Sequence, residues 1–448
     1  MSLFDTTMLA GLPALIALIL CIKRGPGYAF LNVYLPVLLL LPDGCRMATS
    51  GQFNFNESAI IPIAAFFLWK EGRHWKWTLT DLLVVALVAL ISVAQYMNLD
   101  YQIAQNLALR LIVTILLPYV VAKGLIVGEE GISVEIAKRI VILATVVAIL
   151  SAYEFRMTAN PFRAFMSPWF PAWIVETPSF RYGFVRIAGP WSHPILAGII
   201  LAVAYRTARW LEWTHNWPGN VPLLPINKAR FCELALIVGG VMTISRGPWI
   251  GAIVAAAIVM LLRSRHRKHL TAFALCLIFI FSIPAYLSFD RNVDLDRYGP
   301  HEEAKRSAAY REELIEKYIV IAEERPVWGW GSSGFPVVDG MTSVDNQYLL
   351  LALTSGLYAL AAMVLILLWV PARICRYGLL QSDDESKRSL AFTLTGIFIL
   401  CALSIATVYL GAQTQPLLFV IAGWSEALLV APSLIAARVP YRFQRVMI

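Results

Sequence analysis

Asp345 stands in Ser-Val-Asp-Asn-Gln-Tyr, directly ahead of a long apolar run. A carboxylate held there could accept a proton from a hydroxyl. It could equally cap the helix that the run predicts, by accepting hydrogen bonds from free N–H groups of the first turn, and the spacing alone favours the cap. Arginines recur in comparable places. Arg246 lies in Thr-Ile-Ser-Arg-Gly-Pro-Trp, a very short turn between two apolar runs, and Arg186 in Arg-Ile-Ala-Gly-Pro-Trp-Ser-His-Pro at the start of another. Arg110 lies about two helical turns inside a further run. A single such arginine can extend its head to lipid headgroups, yet a charge inside or at the edge of a membrane is a functional candidate by default. Guanidinium forks match pairs of phosphate oxygens, so several on one rim would suit a lipid-linked pyrophosphate.

Other candidates are weaker. His193 precedes Pro194, where starting a helix is a better role than catalysis. Glu426 lies in the middle of an apolar run and is expected to be paired in the interior, and Glu154 ends another run. Trp169, Phe170, Trp173, Tyr182 and Trp191 crowd one segment, and Trp328 and Trp330 another. Aromatic belts at membrane interfaces account for such clusters, as would the stacking of rings on the C–H faces of sugars. Arg325-Pro-Val-Trp-Gly-Trp-Gly-Ser-Ser-Gly-Phe335 is rich in glycine, but it lacks the Gly-Lys-Ser/Thr ending of a phosphate-binding P-loop.

The elements that must position these residues follow from composition. Of the 448 residues, 58% are hydrophobic and 15% charged, whereas soluble domains have about 45–50% and about 25%. Disordered chains, disulfide scaffolds and ordinary cytosolic enzymes are thereby excluded. Apolar runs near the roughly 20 residues that cross a bilayer start near Met8, Tyr28, Ser58, Leu79, Ala104, Arg139, His193, Phe231, Pro248, Leu270, Tyr348, Ser389 and Pro416, about twelve or thirteen spans. The net charge of +8 is better explained by Lys and Arg in alternate short connections than by nucleic acid. Lys23 and Arg24, Arg206 and Arg209, Arg373 and Arg376, and Arg438 and Arg442 are examples. Those connections are expected in the cytoplasm, with the C-terminus inside. The six cysteines are scattered, without metal-site or disulfide spacing. The first residues, Met-Ser-Leu-Phe-Asp, lack the basic region and cleavage site of a leader peptide.

The expected fold is therefore all-α: a polytopic transmembrane helical bundle with two larger periplasmic loops. N-terminal helices occupy 1–152, the first large loop 153–192, central helices with the Ser-Arg-Gly turn 193–287, the second large loop 288–347, and C-terminal helices 348–448. The second loop predicts an amphipathic helix from His301 to Glu324, with Ile315, Tyr318, Ile319 and Ala322 laid on the bundle. No internal repeat is visible, which counts against transporters built from repeated halves. A transporter or flippase should also carry charges within several spans, and Arg110 and Glu426 are the main ones seen.

Taken together, several segments resemble the O-antigen ligase and O-antigen polymerase superfamily. Arg186-Ile-Ala-Gly-Pro-Trp-Ser-His-Pro-Ile-Leu-Ala-Gly198 is similar to the family's Arg…Gly…Pro-Asn…Gly start of a central span, with Ile195 in place of Asn. Thr243-Ile-Ser-Arg-Gly-Pro-Trp249 is similar to its Ser-Arg-Gly turn. Tyr310-Arg311, Glu323 to Phe335, Asp345-Asn346-Gln-Tyr348 and Gly356 follow the order of its long outer loop. The family's ligases carry a His-Asn pair here, and Asp345 takes the histidine's place, which leans toward a polymerase. The resemblance implies an undecaprenyl-pyrophosphate-linked oligosaccharide as donor, a hydroxyl acceptor, no metal or other cofactor, and a site on the periplasmic face of the bacterial inner membrane. Within it, Asp345 would activate the acceptor and Arg246 would act on the reacting groups. Arg186, Arg311, His193, Asn346, Tyr348 and Trp191 would hold pyrophosphate or glycan, and Arg110 joins them on its depth in the span rather than on the resemblance. A flippase and a chain-length regulator are partners that the resemblance alone implies. Ligation to lipid A–core or another acceptor is the first alternative, and polysaccharide transport the second.

Overall fold

The computed structural model describes residues 3–46, 53–72, 75–129, 131–170, 178–217, 219–220, 227–264, 266, 303–341, 343–381, 384–411 and 413–438. Among the described residues, the protein is helical apart from one two-stranded hairpin, short bridges and connecting turns. Its helices are α1 (Leu3–Arg24), α2 (Pro26–Leu40), α3 (Phe55–Glu71), α4 (Leu79–Asn98), α5 (Tyr101–Gly128), α6 (Ile132–Met157) and the short α7 (Pro161–Met166). Strands β1 (Phe180–Arg181) and β2 (Phe184–Val185) follow. Then come α8 (Pro194–Trp213), α9 (Lys228–Met242), α10 (Arg246–Arg263), α11 (Glu303–Glu324), α12 (Gln347–Leu380), α13 (Glu385–Ser404) and α14 (Thr414–Arg438).

Every expected span except one starts at or within a helix; the span near Leu270 lies outside the described residues, as do Trp173 and His301. Among the described residues, six helical stretches are long and apolar enough to cross a membrane: α4, α5, α8, α10, α12, and α13 with the turn that extends it to Thr407. The multi-pass helical expectation therefore stands.

Local signals explain where the helices begin. Asn54 and Glu57 close a reciprocal capping box on α3, and Thr78 and Asp81 do so on α4. Pro161, Pro194 and Pro248 occupy first turns, where a missing N–H costs nothing. Both α2 and α5 contain a π turn, Phe30–Tyr34 and Ile112–Leu116, each directly before a Leu-Pro pair. A proline cannot continue the ordinary ladder, and the wider turn absorbs the break.

Packing brings α14 close against the second half of α5. A Cβ on Gly423 would stand 2.3 Å from the Tyr119 carbonyl oxygen, so only glycine allows this approach. Beside that seam, charges neutralise one another. Lys123 Nζ donates to both oxygens of Asp81 at 2.7 and 2.6 Å, and Arg373 donates to both oxygens of Glu426 at 3.0 and 2.9 Å. The expected pairing of Glu426 is thus found. The Asp81–Lys123 pair was not visible from either residue's position in the sequence.

At the end of the bundle that carries the large loops, α11 packs differently from the expectation. Leu314, Tyr318 and Ala322 form its buried face, while Ile315 and Ile319 are 41% and 46% exposed. Tyr318 and Ala322 are buried as expected, but Leu314 takes the place of Ile315 and Ile319, so the buried stripe is turned by roughly 50° from the expected one. Its partners are Met341, Val344, Leu349 and Leu353, in the loop ahead of α12 and on that helix, so α11 braces the start of α12. Leu314→Ala should cost roughly 2–5 kcal/mol and Ile315→Ala almost nothing. Equal losses in unfolding midpoint for the two variants would contradict this packing.

Candidate active site

The hairpin starts the site. Tyr182 and Gly183 link its strands with φ of 53° and 77°, the positive values that a tight two-residue connection requires, and Arg181 pairs across with Phe184. The chain then folds back so that Arg186 N–H donates to the Ser179 carbonyl at 2.8 Å. The Arg186 side chain turns inward and is buried, with the whole residue 8% exposed. Its Nε donates to the Thr243 carbonyl at 3.1 Å and its Nη2 to Ser245 Oγ at 2.9 Å. Arg181 Nη1 reaches the next carbonyl, Ile244, at 3.2 Å, and Ile187 N–H reaches Met242 at 3.2 Å. The hairpin therefore grips the Thr-Ile-Ser-Arg turn along consecutive carbonyls.

That grip holds a strained conformation. Ile244, a β-branched residue, has φ of 45° in the left-handed region, at a cost of about 1–3 kcal/mol. The result is the placement of Arg246 on the first residue of α10, half-buried, with its Nη2 donating to the Tyr182 hydroxyl. The positive end of the α10 dipole lies at the same point.

Helix α11 and the loop before α12 supply the rest. Arg181, Asp345 and Arg246 all act electrostatically on Arg311. Burial lowers the Arg311 pKa; Arg181 and Arg246 push it the same way, and Asp345 opposes them. Arg186, Asp345 and Arg181 likewise face His193, whose pKa is pushed from 6.5 to about 4 chiefly by burial and then by Arg186. His193 is therefore neutral near pH 7. Its Nδ1 accepts from Ile195 N–H at 3.1 Å, which makes it the cap of α8. Ser343 Oγ donates to Asp345 Oδ1 at 2.7 Å, and the Tyr310 hydroxyl donates to the Ser343 carbonyl at 3.1 Å. Asp345 does not cap α12, contrary to the spacing argument. Asn346 does, its Oδ1 accepting from Tyr348 and Leu349 N–H at 3.0 and 3.2 Å. The cap sits one residue further on, and the Asp345 carboxylate is left half-exposed toward the arginines.

The start of α12 is itself fastened. Gly356 breaks the helix with φ of 80° and ψ of 177°, and a Cβ there would stand 2.1 Å from the Val327 carbonyl oxygen. The carbonyls freed by the break are taken up by the glycine-rich stretch: Trp330 N–H donates to Leu353 at 2.7 Å and Gly331 N–H to Thr354 at 3.1 Å. Leu357 N–H returns to Pro326 at 2.7 Å. Buried Gln95 completes the clip, donating to Thr354 and accepting from Ser332 N–H at 2.9 Å. Glu154 does similar work for the Arg186 segment, accepting from Ala188 and Gly189 N–H at 3.2 and 2.9 Å.

The structure thus gathers Arg186, Arg246, Arg311, His193 and Asp345, and adds Arg181, Tyr182 and Tyr310. Arg181 was missed as a site residue, although Phe-Arg-Tyr-Gly-Phe-Val-Arg alternates around a turn-forming Tyr-Gly and reads as a hairpin with a cation on it. Arg110 belongs to a different group, 3.9 Å from Glu57. Trp191 is buried in the main core. Tyr348 donates its hydroxyl to the Ala402 carbonyl at 2.9 Å, tying α12 to α13. Asn346 adjoins Asp345 but spends its carbonyl oxygen on the cap. In this group four arginines outnumber one carboxylate, a balance that favours an anion.

Comparison with known proteins bears on this group. Residues 232–364 match the model of a family described as O-antigen ligase. The match supports the resemblance to the O-antigen ligase and polymerase superfamily drawn from the motifs. The ligase-family segment takes in Arg246, Arg311, Asp345 and Gly356 and leaves the hairpin arginines and His193 before it. No curated protein matches the chain.

Two outcomes follow. Asn346→Ala should lower stability by about 1 kcal/mol through loss of the cap, whereas Asp345→Ala should not. Thermal unfolding in detergent separates them, and a matching loss at Asp345 would restore it as the cap. For His193, the folded pKa lies below the unfolded one. The unfolded state then binds more protons between pH 6.5 and about 4, and stability must fall as pH drops through that window. His193→Asn, which keeps a capping oxygen, should flatten that part of the pH profile. An unchanged slope would show that His193 does not contribute to it.

Proposed function

We propose that this protein is a glycosyltransferase of the bacterial inner membrane, acting on the periplasmic face. It moves a glycan from undecaprenyl pyrophosphate to a hydroxyl acceptor, and we assign it the polymerisation of lipid-linked repeat units. The observation that carries this reading is that Arg181, Arg246 and Asp345 all act electrostatically on Arg311, and Arg181, Arg186 and Asp345 on His193, at the loop end of the bundle, largely inside the ligase-family segment.

The chemistry follows from the arrangement. The bond between the sugar's anomeric carbon and a pyrophosphate oxygen breaks, and the pyrophosphate keeps the electron pair. The guanidiniums of Arg181, Arg246 and Arg311 stabilise the charge that develops there, a task for which fixed cations in a poorly hydrated site are well suited. The acceptor hydroxyl forms the new glycosidic bond and gives its proton to Asp345. Arg186 works as a positioning residue, because its donors are engaged with the Arg246 turn. Neutral His193 can donate from Nε2 to glycan or phosphate oxygen, since Nδ1 already accepts.

Ligation of a finished glycan to lipid A–core or another acceptor is the second reading, favoured by the family description of the matched segment. Transport gains no support, because the buried charges of α4, α5, α12 and α14 neutralise one another in pairs.

Strains carrying Arg246→Ala or Asp345→Ala should accumulate single lipid-linked repeats without polymer, with rates reduced by about 10²–10³-fold for the arginine. Sizing the undecaprenyl-linked and surface glycans checks this. Long lipid-linked polymer that never reaches its acceptor would establish ligation instead, and unchanged glycans in both pools would remove glycan transfer.

A further inference from the structure

Arg110 lies apart from the anion site, in a group with a different charge balance. Glu57 on α3 is buried at the helix start; its Oε2 accepts from Asn54 N–H at 3.0 Å within the capping box. Its other oxygen, Oε1, faces Arg110 Nε at 3.9 Å, too far for a hydrogen bond, and neither atom has a partner. Asn54 Nδ2, in a residue 1% exposed, is also without one. Arg46 bridges to Asn54, and Arg46 and Asp43 act electrostatically on Glu57. The Arg110 side chain is 29% exposed and that of Glu57 1%, so the group reaches the protein surface at Arg110.

The neighbouring seam repeats the pattern. Gln413 at the start of α14 donates through Nε2 to the Leu41 and Pro190 carbonyls at 3.0 and 3.3 Å, which leaves its buried Oε1 unpartnered. The indole N–H of Trp191, one residue beyond Pro190, is buried and unpartnered as well. Buried polar atoms are almost always satisfied, so a group of orphans calls for an occupant.

What fits is set by their signs. Arg110 Nε, Asn54 Nδ2 and Trp191 Nε1 are donors, whereas Glu57 Oε1 and Gln413 Oε1 are acceptors. A phosphate would oppose both acceptors. A hydroxyl both donates and accepts, and at ordinary hydrogen-bond lengths one oxygen can bridge the 3.9 Å between Arg110 Nε and Glu57 Oε1. Two cations and two carboxylates also leave this group without net charge, unlike the arginine-rich site beyond the Arg186–Pro194 segment. We propose that the ends of α3, α5 and α14 form a second site for a neutral, hydroxyl-rich carbohydrate, with Arg110, Glu57 and Asn54 reading its hydroxyls. Resting on the glycan-transfer reading, this site takes the acceptor glycan, and the arginine site takes the pyrophosphate.

The test uses full-length protein in nanodiscs and two probes. One is the oligosaccharide freed of phosphate from the lipid-linked pool of the deletion strain; the other is inorganic pyrophosphate. Glu57→Gln keeps the capping box, since glutamine serves at that position, and Arg110→Met keeps the apolar stem. Each should weaken oligosaccharide binding about tenfold and leave pyrophosphate binding unchanged, which also shows that the variant is folded. Arg246→Ala should do the reverse. Oligosaccharide that fails to bind wild-type protein, or binds both variants as well as wild type, would overturn the proposal and leave trapped water as the occupant. Loss of pyrophosphate binding in Arg110→Met would assign Arg110 to the anion site instead. Should Arg246→Ala strains make normal polymer while Glu57→Gln still loses oligosaccharide binding, the glycan-transfer reading fails and this site stands.

Discussion

The buried guanidinium of Arg186 is the interaction on which the loop end of the bundle depends. A cation taken this far out of water must have its donors occupied, and the groups that occupy them lie 57 and 59 residues further along the chain. One side chain thereby joins the hairpin to the α9–α10 turn. Because the bonds run to Thr243 and Ser245 on either side of Ile244, they hold that residue in a conformation it would otherwise leave. The position of Arg246 is a consequence of that hold. Charge repulsion among Arg181, Arg246 and Arg311 is carried by the same framework, and an arriving anion would relieve it.

Charge is arranged differently at the two ends of the bundle. Toward the cytoplasmic ends expected for α4 and α12, opposite charges meet in pairs: Asp81 with Lys123, Glu426 with Arg373. Such pairs join helices and add little net field. At the loop end the arginines outnumber the carboxylate beside them, so a field extends into solvent. The contrast separates charges that pair within the bundle from charges that do not.

Much of this was legible before the structure. Apolar length marked the helices, since a bilayer imposes one length on every span. Arg246, Arg311 and Asp345 were visible because motif order and placement put them at one face. Three things were not legible. Whether a side chain turns inward or outward depends on tertiary partners, so the structural role of Arg186 and the core burial of Trp191 could not be read from their segment. Which of two adjacent residues caps a helix depends on a single backbone dihedral, and Asn346 took the place that the spacing gave to Asp345. The two apolar stripes of α11 share Tyr318 and Ala322, and only the loop packed against the helix decides between Leu314 and Ile315.

The glycine-rich stretch before α12 is attached mainly through its own main-chain atoms, with the Trp330 indole on the Ile321 carbonyl and the Gln95 side chain among the side-chain additions. Trp330 and Gly331 offer amides, Pro326 offers a carbonyl, and Gly356 provides the room to receive them. An attachment of that kind is indifferent to most side chains around it. Exposed positions such as Ser332, Ser333 and Val337 can therefore be exchanged without undoing the anchorage. Related chains could remodel this rim by point mutation while inheriting the same fastening, so the scaffold separates variation at the rim from the upkeep of the helix break that holds it.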